Sequence, residues 1–526
     1  MKPIHGLCLT PTLLAAILLA AVAAMPTAVA AEPSRPNIIF IFSDDHAEHA
    51  ISAYGSKVNH TPHLDRLAAE GARFTNSFVT NSICTPSRAT LLTGQYSHHN
   101  GVPVFNAFDG SRDTVAKRLQ AGGYHTGMVG KWHLGSDPTG FDRWIVLPGQ
   151  GDYWNPHFLA PGSRLQIEGH VTDIIGDLGV EFIKTRPADK PFFLLLHHKA
   201  PHRRWQPDER NKAKFADAVI PEPETLWDDY ATRPAALPEN RQTIHRDLSD
   251  KDLKQDPPPG LEGKALTKWK YQRYMQDYLA CVQGVDDNVG KLLDHLDEAG
   301  LTDETIVIYS SDNGWYLGDL GLYDKRFMYE PGLRVPLIAR GPGIGRGLEP
   351  DAFVANIDLA PTFLGLAGLP IPESMQGESL LPLLAGTTPD NWRRSVYYRY
   401  YHDPGHHNTR AHYGVRTATH KLIHYWKKDA WELFDLVSDP TEQHNLLFDE
   451  SEAATPEVQR LFSELKAEIT RLQEAYGDEG QYADADDWPP GSADGPFKNK
   501  KPLGTRTVVE AIGLTDSSSR LRAQAK

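Results

Sequence analysis

The chain has 526 residues, 23% of them charged and 40% apolar, with a formal net charge of −14. That length suits one large and one small domain, and that balance describes a globular protein rather than a disordered one. The acidic excess excludes a nucleic-acid binder, which needs a basic face. It also requires any anionic substrate to be met by a local cluster of cations.

Lys2 and His5 precede an apolar run over residues 13–24, and Ala28-Val29-Ala30 leads into Ala31. This reads as a secretory signal peptide over residues 1–30, and it predicts an exported protein, periplasmic or secreted. The run is short for a span of roughly 20 residues, so no stable membrane anchor is expected. Cleavage leaves Cys84 and Cys281, which do not make a disulfide scaffold.

Residues 36–42 read as a buried strand by length and flanks, ending at Ser43-Asp44-Asp45. Residues 64–71 read as a helix after the Thr61-Pro62 start signal, and 114–121 as another, stopped by Gly122-Gly123. A strand at 126–129 runs into Gly130-Lys131-Trp132-His133-Leu134-Gly135. A helix at 172–184 precedes a strand at 191–196 that ends at His197-His198-Lys199. A helix at 285–299 precedes a strand at 305–309 that ends at Ser310-Ser311-Asp312-Asn313-Gly314, and residues 335–339 form one more strand. Strands alternating with helices predict an α/β fold with a largely parallel sheet. The polar groups gather just past strand ends, where open α/β sheets place their ligand site.

Past Leu369-Pro370-Ile371-Pro372 the texture changes to β-prone aromatic stretches at 396–401, 413–417, 421–426 and 431–436, then a helix at 456–476. A catalytic domain over 34–370 and a smaller C-terminal α+β domain with an antiparallel sheet over 371–476 are therefore expected. Residues 477–526, rich in Asp, Gly, Pro and Lys, read as an extended tail.

Asp44 and Asp45 alone would read as a turn or helix cap. With Asp312 and Asn313 they offer only oxygen ligands, which suits calcium, or less well magnesium, better than zinc. Lys131 and His133 are two apart, so in an extended stretch they face the same way.

The run Cys84-Thr85-Pro86-Ser87-Arg88-Ala89-Thr90-Leu91-Leu92-Thr93-Gly94 resembles the signature of type I sulfatases, whose cysteine is oxidised to formylglycine (3-oxoalanine). An isolated Cys-x-Pro-x-Arg would read as a buried structural thiol; the neighbouring segments make the motif specific. Gly130-Lys131-Trp132-His133-Leu134-Gly135 is similar to the second sulfatase signature, and Trp431-Glu432-Leu433-Phe434-Asp435-Leu436 to a C-terminal one. The resemblance runs from about residue 36 to 446.

It implies an alkaline-phosphatase-like sandwich with a large mostly parallel sheet flanked by helices, plus the smaller C-terminal domain. It implies a catalytic set of Cys84, Arg88, Lys131, His133, His202 and Lys325. It also implies one divalent cation, usually calcium, held by Asp44, Asp45, Asp312, Asn313 and the matured residue 84. Arg88 would hold the hydrate, Lys131 and Lys325 the sulfate, His202 would serve as general acid, and His133 would deprotonate the hydrate. Glu330 and Arg334 read as architecture. A formylglycine-generating maturation enzyme and a sulfated glycan are the implied partners.

Several segments, including Leu147-Pro148-Gly149-Gln150-Gly151-Asp152-Tyr153 and His197-His198-Lys199-Ala200-Pro201-His202-Arg203, look like bacterial N-acetylglucosamine-6-sulfatases acting on mucin or heparan-type glycans. Asp152, Trp154, His402, His412 and Arg416 are then expected to supply the aromatic faces and fixed polar groups of a sugar pocket. The alternatives are a sulfatase for another sugar, a phosphomonoesterase or phosphonate hydrolase of the same superfamily, and a glycan-binding protein without catalysis.

Overall fold

The computed structural model describes residues 35–494 and 523–524; the expected signal peptide lies outside the described residues. Strand β1 (Asn37–Ser43) is the hub of a mixed sheet. The other sheet strands are, in chain order, β2 (Ala72–Arg73), β3 (His125–Lys131), β4 (Arg143–Leu147), β5 (His157–Ala160), β6 (Ser163–Ile167), β7 (Phe192–His197), β8 (Thr305–Ser311) and β9 (Leu337–Arg340). Strand β1 pairs in parallel with β7 and β8, β7 with β3, and β3 with β4. Antiparallel strands close both edges: β5, β6 and the two-residue strand Ala523–Gln524 on one side, β9 and β2 on the other.

Both faces of β1 are buried, so its sequence is a continuous apolar run rather than an alternating one. The period of two still sorts the side chains. Ile39 and Ile41 join the core under helices α2 (Val171–Thr185) and α3 (Gly263–Glu298). Ile38, Phe40 and Phe42 join the opposite core, with Leu91 of helix α1 (Cys84–Thr93) and Phe363 of α4 (Leu359–Leu366).

The register aligns Phe42 with His197 and Ser310, and Gly130 with His197. The carboxyl ends of β1, β3, β7 and β8 are therefore level, and the residues after them meet at one edge.

Two readings of the sequence need correction. The helix expected at 285–299 is the C-terminal part of α3, which begins at Gly263. Its first half lacks an aliphatic stripe and buries Tyr271, Tyr274 and Tyr278 instead. These phenols hydrogen-bond loop backbone, Tyr274 to the Tyr316 carbonyl at 2.8 Å and Tyr278 to that of Asp45 at 2.8 Å. The short strands β4, β5 and β6 were not expected; Pro148, Gly149 and Gly151 break that stretch into pieces with little periodicity.

The C-terminal sheet has the order Ser395–Tyr400, His412–Thr417, His420–Tyr425, Ala430–Asp435, each pair antiparallel. Helix α5 (Pro456–Tyr476) packs on it, with Leu465, Ile469 and Leu472 in the shared core. The docking is ionic as well as apolar. Lys421, fully buried, pairs with Glu330 at 2.8 Å and Glu442 at 2.6 Å, and Arg416 reaches Glu330 at 3.2 Å.

Removing the cation would leave two carboxylates without it. Lys421→Met is expected to lower the unfolding free energy by about 3–5 kcal/mol, read from urea-induced unfolding. A loss below about 1 kcal/mol would show that the pairs are replaceable.

Candidate active site

The loop after β1 turns sharply. Asp45 sits in the left-handed region at φ 68°, which aspartate tolerates better than most residues. Its amide donates to Asp312 Oδ1 at 3.1 Å and its carbonyl accepts from Tyr278 at 2.8 Å. The Asp312 amide donates in turn to the Ser43 carbonyl at 3.1 Å, stitching the ends of β1 and β8 together. Asp44, Asp45, Asp312 and Asn313 are all fully buried.

Each of the three carboxylates meets a cation. Lys131 contacts Asp44, Lys325 contacts Asp45, and Arg88 donates to Asp312 Oδ2 through Nε at 3.0 Å and Nη2 at 2.8 Å. Three buried oxygens nonetheless lack a hydrogen-bond donor: Asp44 Oδ1, Asp45 Oδ2 and Asn313 Oδ1. Ligand atoms of Asp44, Asp45 and His202 lie within 4.8 Å of one another. Converging, donor-free, anionic oxygens are what a hard divalent cation coordinates, so the residues present fit such an ion.

Cys84 is the first residue of α1, and the whole of that helix is buried. Arg88, one turn on, faces the same way. Its Nη1 donates to the Lys131 carbonyl at 2.8 Å and lies 3.1 Å from His197 Nδ1, while the guanidinium sits over the Phe42 ring. The Cys84 sulfur lies 3.3 Å from His133 Nδ1. Thr85 donates to the carbonyl of His133 at 3.1 Å, and His133 sits in the left-handed region at φ 51°. His202 Nε2 stands 3.7 Å from Asp45 Oδ2.

Burial governs the titration of these groups. It pushes the Cys84 thiol up to about 11 and the Asp45 carboxyl up to about 7, the latter opposed by Lys325. It drives His133 down to about 4 and His202 well below its ordinary value, with Lys131, Lys199 and Lys325 adding to the effect on His202. Both imidazoles are therefore neutral near pH 7 in the free protein. Burial would also raise Asp312, but Arg88, Lys325 and Lys131 hold it below its ordinary value.

A cavity of about 480 Å3 opens onto this cluster, lined by Asp45, Cys84, Gln150, His202 and Lys325 together with Phe105, Trp315, Arg326 and His406. The structure thus brings together all the residues expected to be catalytic or metal-binding. The five expected sugar contacts divide. Asp152 lines an adjoining cavity. Trp154, 41% exposed, lines a third one, which shares no residue with the catalytic cavity. His402 lies edge-on to Trp488 and 5.8 Å from the His406 ring.

His412 and Arg416 are different and line none of these cavities. His412 is fully buried, stacked between the rings of Tyr398, Tyr400 and Phe327, and Arg416 serves the Glu330 pair described above. On a strand covered on both sides, a polar side chain is spent on packing and docking.

The sequence reading also missed participants. Gln150 Oε1 accepts from Lys131 at 2.6 Å. It lies in a segment already singled out, so only its role was hidden. Asp494 was hidden altogether. Residues 477–494 do not run free: Asp478 is buried against Tyr397 and Arg399, and the Ala493 amide donates to the Phe105 carbonyl at 2.9 Å. This brings Asp494 Oδ1 to 3.5 Å from His133 Nε2.

The comparisons with known proteins agree with this geometry. The family described as "Sulfatase" matches residues 36–369, and that described as "N-sulphoglucosamine sulphohydrolase, C-terminal" matches residues 318–475. The chain belongs to the sulfatase family and is a sulfuric ester hydrolase. It is 43% identical over 463 residues to an N-acetylglucosamine-6-O-sulfatase of Bacteroides thetaiotaomicron, covering 79% of this chain and 83% of that one. It is 28% identical to the human N-acetylglucosamine-6-sulfatase over 71% of this chain and 68% of that one.

A solved structure of a protein in complex with its substrate, D-glucosamine-2-N,6-O-disulfate, matches with a TM-score of 0.82 and 41% identity, over 85% of this chain and 99% of that one. A phosphonate monoester hydrolase of Agrobacterium radiobacter, 22% identical with a TM-score of 0.68 over 83% and 96% of the two chains, shares the fold.

The Asp494 contact yields a test. Asp494→Ala is expected to lower kcat about tenfold with KM within about a factor of two, as for other carboxylates that orient a histidine. Wild-type kcat in this variant would assign the contact to packing.

Proposed function

We propose that this sulfatase removes the 6-O-sulfate from N-acetylglucosamine in mucin or heparan-type glycans, using formylglycine matured from Cys84 and one calcium ion. The observation that carries the reading is the placement of Cys84. It heads a buried helix, beside Arg88 and His133, and lines the same cavity as Asp45, whose Oδ2 has no donor. The sugar is supported by the 43% identical relative and by the substrate of the 41% identical solved structure. Export is supported by the apolar N-terminal run, and among the described residues no helix is long and apolar enough to cross a membrane.

When present, formylglycine supplies a hydrated carbonyl with one hydroxyl for attack at sulfur and one for release of sulfate, while the cation polarises a sulfate oxygen. Asp44, Asp45, Asp312 and Asn313, with residue 84, would hold that cation. Lys131 and Lys325 hold the sulfate oxygens and stabilise the charge that builds up in the transition state. Arg88 fixes Asp312 and the Lys131 backbone in place.

His133 presents Nδ1 to position 84 and Nε2 to Asp494. A carboxylate at Nε2 favours the proton on that nitrogen, which leaves the Nδ1 lone pair free to accept one from residue 84. His202 is held neutral in part by three nearby lysines. An anionic sulfate held by Lys131 and Lys325 offsets those two, so substrate binding favours the imidazolium that then protonates the departing sugar oxygen.

Free sulfate should be released from N-acetylglucosamine 6-sulfate at a rate at least about a hundredfold above that from galactose 6-sulfate, the discrimination expected of a site with fixed polar contacts. Activity confined to galactose or uronic-acid sulfates contradicts the glucosamine assignment. Chelation is expected to abolish turnover and lower the melting temperature, with both restored by calcium. Full activity after exhaustive chelation contradicts the metal assignment.

A further inference from the structure

A second cavity, of about 440 Å3, adjoins the catalytic one and shares Gln150, His202 and Arg203 with it. Lys199 lines it and is only 3% exposed. Its ammonium donates to the Gln150 carbonyl at 3.0 Å and sits 4.8 Å from the centroid of the Tyr153 ring. Among the described residues no carboxylate pairs with it; Asp152 and Asp45 act on it only from a distance. Burial pushes the ammonium down to about 8, still charged at neutral pH.

Arg204 lines the same cavity from the exposed side and likewise forms no ion pair among the described residues. Arg203, by contrast, is already matched by Asp252 through two bonds of 2.8 Å. Asp152 is the lining acid, and it is exposed. A buried ammonium without a counter-ion destabilises a fold unless something negative completes it.

We propose that this cavity is an anion subsite, in which Lys199 and Arg204 receive a second acidic group of the substrate while its 6-O-sulfate lies against Lys131 and Lys325. The group is a sulfate on the same sugar or the carboxylate of a neighbouring uronate. The inference rests on the 6-O-sulfate reading and narrows it, because it selects heparan-type chains over neutral mucin-type ones.

The test compares N-acetylglucosamine 6-sulfate, glucosamine 2-N,6-O-disulfate, and a disaccharide joining 6-sulfated N-acetylglucosamine to a uronate. Wild type should prefer at least one doubly acidic substrate by about tenfold or more in kcat/KM, the worth of one charge-assisted hydrogen bond. Lys199→Met and Arg204→Ala should each lose that preference, with the loss mostly in KM. Which doubly acidic substrate responds identifies the source of the anion.

Calorimetric binding to Cys84→Ala protein should show the same ordering without turnover. Lys199→Met should melt no lower than wild type, since it removes a buried unpaired charge, and Arg204→Ala covers the case in which it does not fold. Equal wild-type rates on the three substrates, or losses uniform across them, overturn the subsite. Release from galactose 6-sulfate with none from any 6-sulfated glucosamine overturns the 6-O-sulfate reading instead.

Discussion

Three carboxylates with no exposure to water, at the ends of two adjacent parallel strands, set the terms for this molecule. Asp44, Asp45 and Asp312 are tolerable only because Lys131, Lys325 and Arg88 stand against them. The partners differ in kind. Arg88 grips Asp312 with two nitrogens and is held by backbone and a ring, so it is fixed. The two lysines are single point charges on flexible stems and can exchange partners. A divalent cation at the donor-free oxygens would take over their role and leave both ammoniums to face the cavity. A chain of net charge −14 can thereby attract a sulfate ester.

The rest of the fold serves that arrangement. The parallel register sets the strand ends level. Helix α3 reaches across with Tyr278 to brace the Asp45 loop from both sides, accepting from Ala47 and donating to Asp45. The C-terminal sheet, docked through Lys421 and Glu330, places its outgoing chain so that Phe105 can bind residue 493 and Asp494 can reach His133. The His133–Asp494 contact thus joins segments more than 350 residues apart.

Much of this was legible from the chain itself. Strands buried on both faces announce themselves as short apolar runs, and the acids, lysines and histidines that follow them fall at one edge of a parallel sheet by their spacing alone. What stayed hidden depends on tertiary contacts. The first half of α3 carries its buried face as tyrosines whose hydroxyls need particular acceptors, and nothing local declares those. His412 and Arg416 were expected at the sugar as suppliers of its fixed polar groups. Their strand is instead covered by aromatic rings and by Glu330, which sequence spacing does not reveal. Asp494 sits in a polar, aperiodic stretch whose composition suggests a free tail; its position follows from docking of residues 478 and 493.

The central claim is that the buried carboxylates form a cation site and that the lysines against them are substrate groups in waiting. A crystal structure of the matured protein grown with calcium, with data collected where calcium scatters anomalously, addresses it directly. The account predicts one anomalous peak bound by Asp44, Asp45, Asp312, Asn313 and residue 84, with Lys131 and Lys325 turned from the carboxylates toward the cavity. No peak at saturating calcium in a fully active crystal, with both ammoniums still on Asp44 and Asp45, would contradict it.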